Sequence, residues 1–166
     1  MEELNLYIQK SKHNFHNNLK PQDIIEAAGK DLLIQWNIRY KKFCNNHKLD
    51  KFLERNKEKP DLIISYNEIP ALLDWKGNLL NNWRVNEQTI KSYEKLHNTF
   101  NIPILICFIT LDENDFISER RFAVINNHDY TEDKKSPDAN KSIIFNNELP
   151  IFNKENLLKY VFGISK

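Results

Sequence analysis

Glycine and cysteine are both scarce in this sequence, which has three glycines and two cysteines among its 166 residues. Cys44 and Cys107 are far apart and share no paired spacing, so neither a disulfide framework nor a closed zinc site is expected. A glycine-rich phosphate loop and a nucleophile elbow both need glycines at fixed spacings, and neither pattern occurs. These absences argue against nucleotide binding by such a loop and against serine-hydrolase chemistry of the elbow type.

Long apolar segments are also lacking, because no stretch resembles a signal peptide or a membrane span. With unpaired cysteines as well, we expect a reducing intracellular compartment, namely the cytoplasm. Neither sign of charge dominates, since the formal net charge is +1. Binding to a polyanion would therefore depend on local segregation of positive charge.

The remaining composition is typical of a globular protein, with 40% hydrophobic and 28% charged residues. A chain of this length can bury a core without disulfides or a structural metal. The sequence shows no internal repeat and no linker. We therefore predict one domain that spans residues 1–166.

Apolar periodicity predicts alternating helices and strands. A helix is expected to begin at Pro21, since proline suits the first helical position, and Gly29 within it could let another element approach closely. A second helix is predicted over residues 86–100, before a strand at 104–109 that is covered on both faces. The other predicted elements are strands at 121–125 and 143–145, a loop at 126–141 and a closing helix at 153–162. This order indicates an α/β fold with a mixed β-sheet flanked by helices.

A β-hairpin is predicted where two short apolar runs, residues 62–64 and 71–73, surround the turn-forming residues 67–70. If the hairpin closes with Tyr66 opposite Ala71, the numbers of paired residues sum to 137. This register brings the polar residues at the open end of the hairpin next to one another.

Those polar residues are Asp61, Asp74 and Lys76. In the predicted register Asp61 lies opposite Lys76, and the period of two along a strand puts all three side chains on one face. Trp75 then points the other way, into packing. Two carboxylates at this separation repel each other unless a cation neutralises them.

Oxygen ligands of this kind suit Mg²⁺ or Mn²⁺, and Mg²⁺ is commonly held by one or two carboxylates together with a substrate phosphate. Lys76 could orient or deprotonate a metal-bound water, and the backbone carbonyl of Trp75 is a further candidate ligand. A structural interpretation stays open, in which Asp61 begins a strand and Asp74 and Lys76 form an exposed ion pair that contributes little stability.

Two short segments, Pro60-Asp61 and Asp74-Trp75-Lys76, together form a motif. This motif resembles that of the PD-(D/E)xK nuclease superfamily. The resemblance covers residues 26–109 and implies a restriction-endonuclease-like core with hairpin, helix and buried strand in that order. It implies that the two acids bind Mg²⁺, that the lysine assists the attacking water and that an acid on the preceding helix, here similar to Glu26, completes the site. A glutamate in the first turn of a helix is also favoured by the helix dipole alone.

A nucleic-acid surface is predicted near these residues. Arg84, Gln88 and Lys91 follow helical spacing and indicate a basic stripe on the second helix, while Asn82 lies in the loop before it. Gln88 also resembles a glutamine that several branches of the superfamily place near the active site, and Tyr93 resembles the tyrosine that some branches carry. A solvated helix face explains Lys91 equally well.

These features lead to one functional hypothesis and one alternative. The hypothesis is a metal-dependent nuclease, with an endonuclease favoured, that cuts DNA and forms a homodimer, because many relatives implied by the resemblance cut both strands in this way. The alternative is a nucleic-acid-binding or scaffold domain that keeps the fold without the activity.

Overall fold

The computed structural model describes residues 20–43, 58–78, 82–134, 141–146 and 148–165; Cys44 lies outside these ranges. Within them the helices and strands follow the chain in the order α1 (Pro21–Gln35), β1 (Arg39–Lys42), β2 (Leu62–Tyr66), β3 (Ile69–Asn78), β4 (Arg84–Asn86), α2 (Glu87–Phe100), β5 (Ile104–Leu111), β6 (Ile117–Val124), β7 (Tyr130–Glu132), β8 (Ser142–Phe145) and α3 (Lys154–Tyr160).

The larger sheet has five strands in the order β1-β2-β3-β5-β6. Its β3–β5 pair is parallel and its other pairs are antiparallel, so the sheet is mixed. Apolar residues of α1 and α3 pack in the core on one face, and those of α2 pack in a second core on the other. The predicted α/β fold, a mixed sheet flanked by helices, is confirmed.

The hairpin of β2 and β3 carries the residues of greatest interest, and its register differs from the prediction. Asn67 and Glu68 have positive φ angles of 47° and 66°, which makes a tight two-residue turn of the kind favoured between antiparallel strands. Tyr66 therefore pairs with Ile69, and the residues that follow the turn join β3. Paired numbers sum to 135 instead of 137, so the predicted pairing of Tyr66 with Ala71 is wrong.

Several secondary elements also differ from the sequence prediction. Arg84 begins β4 and lies outside the helix, whose first residue is Glu87. The predicted loop at 126–141 contains β7, which pairs with β8 and builds a second sheet in the order β4-β8-β7. The strand predicted at 121–125 begins earlier, at Ile117, while the closing helix is confirmed.

Trp75 connects α1 to the sheet. Its side chain is 1% exposed and lies against Gly29, where an added Cβ would come within 2.6 Å of the Trp75 ring atoms Cζ2 and Cζ3. A glycine at this position allows helix and sheet to approach closely, as the sequence indicated. This contact fixes the position of α1 relative to β3.

A Gly29→Ala substitution should therefore destabilise the protein by about 1 to 3 kcal/mol, because the new methyl group overlaps a fully packed ring. In an unconstrained helix the same change is stabilising by about 0.5 to 1 kcal/mol, so the sign of the effect is diagnostic. Urea unfolding measures it. Ile34→Ala on the exposed side of the same helix is the control and should change stability little, whereas a Gly29→Ala protein more stable than wild type would contradict the packing described.

None of the helices in the described ranges is long and apolar enough to cross a membrane.

Candidate functional site

Asp74 lies near the middle of β3 and is 3% exposed. It alternates with Leu73 and Trp75, which pack on the α1 side of the sheet, so its side chain points to the α2 side. Among the described residues it is the one aspartate, glutamate, lysine, arginine or histidine that is buried. A buried carboxylate in a central strand is costly and calls for a compensating partner.

Asp61 precedes β2 and is held at the end of the hairpin by three hydrogen bonds. Its backbone N–H donates to the Leu73 carbonyl at 2.9 Å, and its own carbonyl accepts from the Phe43 N–H at 2.9 Å. Its side-chain Oδ2 accepts from the backbone N–H of Trp75 at 2.8 Å. The carboxylate is therefore anchored beside the residue that follows Asp74.

Lys76 supplies the positive charge at this position. Its Nζ lies 2.9 Å from Oδ2 of Asp74, and the Lys76 side chain is 32% exposed while that of Asp74 is 4% exposed. The ammonium thus reaches from the surface to a buried carboxylate. The predicted grouping of Asp74 and Lys76 on one strand face is confirmed by this ion pair.

Burial raises the pKa of Asp74 to about 6. The Lys76 ammonium opposes this increase by favouring the ionised form, and the nearby Asp61 carboxylate adds to it through repulsion. With a pKa of about 6 Asp74 is mostly ionised at pH 7, but burial and the Asp61 carboxylate give its ionisation a cost that an exposed aspartate does not have. A further cation at this position would relieve that cost.

Tyr93 of α2 brings a hydroxyl to the same location. The residue is 1% exposed, and its hydroxyl has no hydrogen-bond partner among the described residues. Burial raises the pKa of Tyr93 well above its ordinary value, and the negative charge of Asp74 is the next cause. The ring of Tyr93 packs in the core on the α2 side of the sheet, and its hydroxyl end faces the Asp74 carboxylate.

The oxygen atoms at the site fit a hard divalent cation. Oδ2 of Asp74 is buried and makes no well-aligned hydrogen bond, although the Lys76 ammonium is near it. The Trp75 carbonyl accepts a long hydrogen bond of 3.4 Å from Nε2 of Gln22. Two carboxylates and a carbonyl are the oxygen-only donor set that Mg²⁺ prefers, and Mg²⁺ bound in this way usually keeps water or phosphate as its other ligands.

Glu26 was the predicted third acid, and the structure places it apart from the two aspartates. It is 32% exposed and forms an ion pair of 3.6 Å with Lys30. Across the described ranges, no three Asp, Glu, His or Cys residues are grouped so that they could hold a metal ion. Gln22, four residues earlier on the same helix, is the residue whose side chain donates a hydrogen bond to the Trp75 carbonyl. The sequence prediction did not include Gln22, although its position one helical turn before Glu26 places both residues on the same side of the helix.

Two of the predicted nucleic-acid residues, Arg84 and Lys91, have their charges paired within the protein. Arg84 lies on β4 and forms a 2.7 Å ion pair with Asp133, so the interpretation of Arg84 as part of a helical stripe is wrong. Lys91 forms a 2.8 Å ion pair with Glu87. Gln88 is exposed in the first turn of α2, and the backbone carbonyl of Asn82 accepts from the Arg84 N–H.

His97, Cys107 and Trp83 have structural roles. His97 bonds through Nδ1 to the Ile102 carbonyl at 2.9 Å and belongs to the end of α2. Cys107 is fully buried as a free thiol, and burial raises its pKa. Trp83 is 3% exposed and packs on Phe108. None of these three is in a position to add a ligand to the aspartates.

No protein-family model matches the sequence, and a search of curated proteins finds no match. Among solved structures, the fold is similar to that of a Holliday junction resolvase from the archaeal hyperthermophile Archaeoglobus fulgidus. The TM-score is 0.48 and the sequence identity 12%, and the similarity covers 75% of this chain and 84% of that chain.

Proposed function

We propose that this protein is a divalent-metal-dependent nuclease of the PD-(D/E)xK superfamily that hydrolyses phosphodiester bonds in DNA. The observation that carries the proposal is the buried Asp74, adjacent to Asp61 and paired with Lys76, at the open end of a hairpin. The hairpin, helix and buried strand follow one another in the order that the motif resemblance implies. An exposed ion pair without function would not need a carboxylate that is 3% exposed.

Asp61, Asp74 and the Trp75 carbonyl are the groups that would hold Mg²⁺, for which Mn²⁺ could substitute. Such an ion would polarise a phosphoryl oxygen and would lower the pKa of a bound water. The Trp75 N–H fixes the Asp61 carboxylate in place. The Tyr93 hydroxyl can donate to Asp74 and keep its oxygens oriented.

The proposed role of Lys76 differs from that of the metal ligands. Because its side chain is partly exposed while its ammonium reaches Asp74, it can turn toward a phosphate without losing contact with the site. There its positive charge offsets the negative charge that develops on the phosphoryl oxygens. It can also orient the attacking water. The products implied by the superfamily resemblance are a 5′-phosphate and a 3′-hydroxyl.

The substrate and assembly follow from the same resemblance. We propose DNA as the substrate, an endonuclease as the mode of cutting and a homodimer as the assembly, so that each subunit cuts one strand. Gln88, Asn82, Lys91 and Arg84 remain proposed substrate contacts, and Glu26 remains a proposed ligand only if the site rearranges when a metal binds. The cytoplasm is the proposed location.

A cleavage assay tests this proposal. Purified protein should cut DNA in the presence of Mg²⁺ or Mn²⁺ and be inactive in EDTA, with linear duplex, branched and supercoiled DNA as the substrates. Asp61→Asn should be inactive under all conditions, while Asp115→Asn, an exposed aspartate between β5 and β6, should cut like wild type. Protein that binds DNA but leaves every substrate intact with either metal would favour the binding-domain alternative.

A further inference from the structure

The edge strand β1 carries three positively charged residues next to the proposed site. Its four residues are Arg39, Tyr40, Lys41 and Lys42, and all of them are exposed. Among the described strands it pairs with β2 alone and lies at the border of the five-stranded sheet. The sequence prediction had assigned the nucleic-acid surface to α2 and had not included this strand.

The register divides the β1 cations between the two faces of the sheet. Lys41 pairs with Ile63, which packs against the core on the α2 side, where Asp74 also points. Lys42 pairs with Leu62, which belongs to the core on the α1 side. Arg39 is two residues before Lys41 and therefore shares its face. Two cations thus lie on the face of the proposed site and one lies on the opposite face.

The strand runs directly to the site. Phe43, the residue after β1, donates its backbone N–H to the Asp61 carbonyl at 2.9 Å. Lys41 lies two residues before Phe43 and Arg39 two residues before Lys41. Residues two apart on a strand are separated by about 7 Å. Their side chains therefore form a short line of positive charge that begins beside Asp61.

The charges on β1 are also available for a ligand. Two other cations, Lys76 and Arg84, have acidic partners in Asp74 and Asp133. In the described part of the chain, no ion pair involves Arg39, Lys41 or Lys42. Lysine on an edge strand also discourages pairing with other sheets, but this role does not depend on the face to which a side chain points.

We infer that Arg39 and Lys41 bind the sugar-phosphate backbone of the DNA strand to be cut and direct it along β1 toward Asp61 and Asp74. The inference rests on the proposed nuclease function and adds the surface on which the substrate lies. Consecutive phosphates of one strand are the anions that match a line of cations at regular spacing, and the contacts carry no base preference.

The test compares three charge-removing variants of the full-length protein, namely Arg39→Gln, Lys41→Gln and Lys42→Gln. Lys42→Gln is the matched control, since it removes the same charge from the same strand on the opposite face. Binding to a short fluorescent DNA duplex is measured in EDTA at several salt concentrations. Circular dichroism and urea unfolding confirm that all variants are folded.

Arg39→Gln and Lys41→Gln should each weaken DNA binding, and each should reduce the slope of log affinity against log salt by about 0.9. Lys42→Gln should bind like wild type. With Mn²⁺, the first two variants should show a raised KM for cleavage with little change in kcat. Equal losses in all three variants would indicate a general charge effect and overturn the inference.

Other outcomes separate this inference from the proposed function. If wild type binds and cuts DNA while Arg39→Gln and Lys41→Gln retain wild-type affinity and salt dependence, the inference is wrong and the nuclease proposal stands. If those variants self-associate on gel filtration without losing DNA affinity, the cations protect the edge strand and the inference is again wrong. If wild type neither binds nor cuts DNA, both proposals fail.

Discussion

Asp74→Asn should reduce the rate of metal-dependent DNA cleavage at least about a thousandfold, since a lost metal ligand removes several kcal/mol of transition-state stabilisation. The amide keeps the size of the side chain but cannot carry the negative charge that attracts a divalent cation. Single-turnover cleavage with saturating protein and Mn²⁺ measures the effect. Cleavage by Asp74→Asn at a rate near that of wild type would contradict the assignment of Asp74 as a ligand.

The same substitution should make the metal-free protein more stable above pH 7. Burial raises the pKa of Asp74 from its ordinary value of 3.8 to about 6. A carboxyl group whose pKa is higher in the folded than in the unfolded protein stabilises the folded state when it is protonated. For Asp74 this contribution is complete below pH 3.8 and is lost as the pH rises through about 6. An asparagine side chain does not titrate, so the variant does not lose stability in this way as the pH rises. The gain at pH 8 should be on the order of 2 to 3 kcal/mol, as expected for a shift of this size.

Urea unfolding in EDTA, performed from pH 4 to pH 8, measures this gain. The difference in the free energy of unfolding between Asp74→Asn and wild type should grow in favour of the variant as the pH rises through about 6. Added Mn²⁺ should then stabilise wild type and have little effect on the variant, because binding to the folded state alone raises stability. A variant less stable than wild type at pH 8 would show that Asp74 is a structural partner of Lys76.

Lys76→Met should reduce cleavage by about 10²- to 10³-fold, in the range typical of a lost charge stabiliser or proton-transfer group. Its affinity for Mn²⁺ should be retained or increased, because the ammonium that lies 2.9 Å from Oδ2 of Asp74 no longer competes with the metal. This combination separates a residue that acts on the substrate from one that binds the ion.

Titration calorimetry with Mn²⁺ and single-turnover cleavage together test the role of Lys76. Lys159→Met on α3 is the control for loss of a lysine and should leave both measurements unchanged. A Lys76→Met protein that binds Mn²⁺ much more weakly than wild type would show that the lysine is needed to build the site. Normal cleavage would show that Lys76 only balances the charge of Asp74.

The face on which each site residue lies could be predicted from the sequence, because the period of two along a strand is fixed. Asp74 and Lys76 share a face and Trp75 occupies the other for this reason. The register could not be predicted reliably, since it depends on the backbone at the turn. Asn67 and Glu68 both adopt positive φ angles, and this tighter turn changed the sum of paired numbers by two.

The smaller sheet and the position of α1 against β3 depend on tertiary contacts, which are hard to predict from the sequence. β4 and β7 are three residues each, with several polar positions, and they are strands because β8 lies between them. Gln22, and not Glu26, donates a hydrogen bond to the Trp75 carbonyl. Which turn of α1 lies beside Trp75 depends on the depth at which the helix packs against the sheet. That depth depends on the close contact at Gly29.

The claim that Asp61 and Asp74 share one divalent cation can be tested by soaking a crystal with Mn²⁺. One anomalous peak per chain is expected, with a carboxylate oxygen from each aspartate within about 2.5 Å of it. Asp74→Asn crystals treated in the same way should lack the peak. Wild-type crystals with no peak between the two aspartates, or with a Mn²⁺ ion bound only elsewhere on the chain, would contradict the claim.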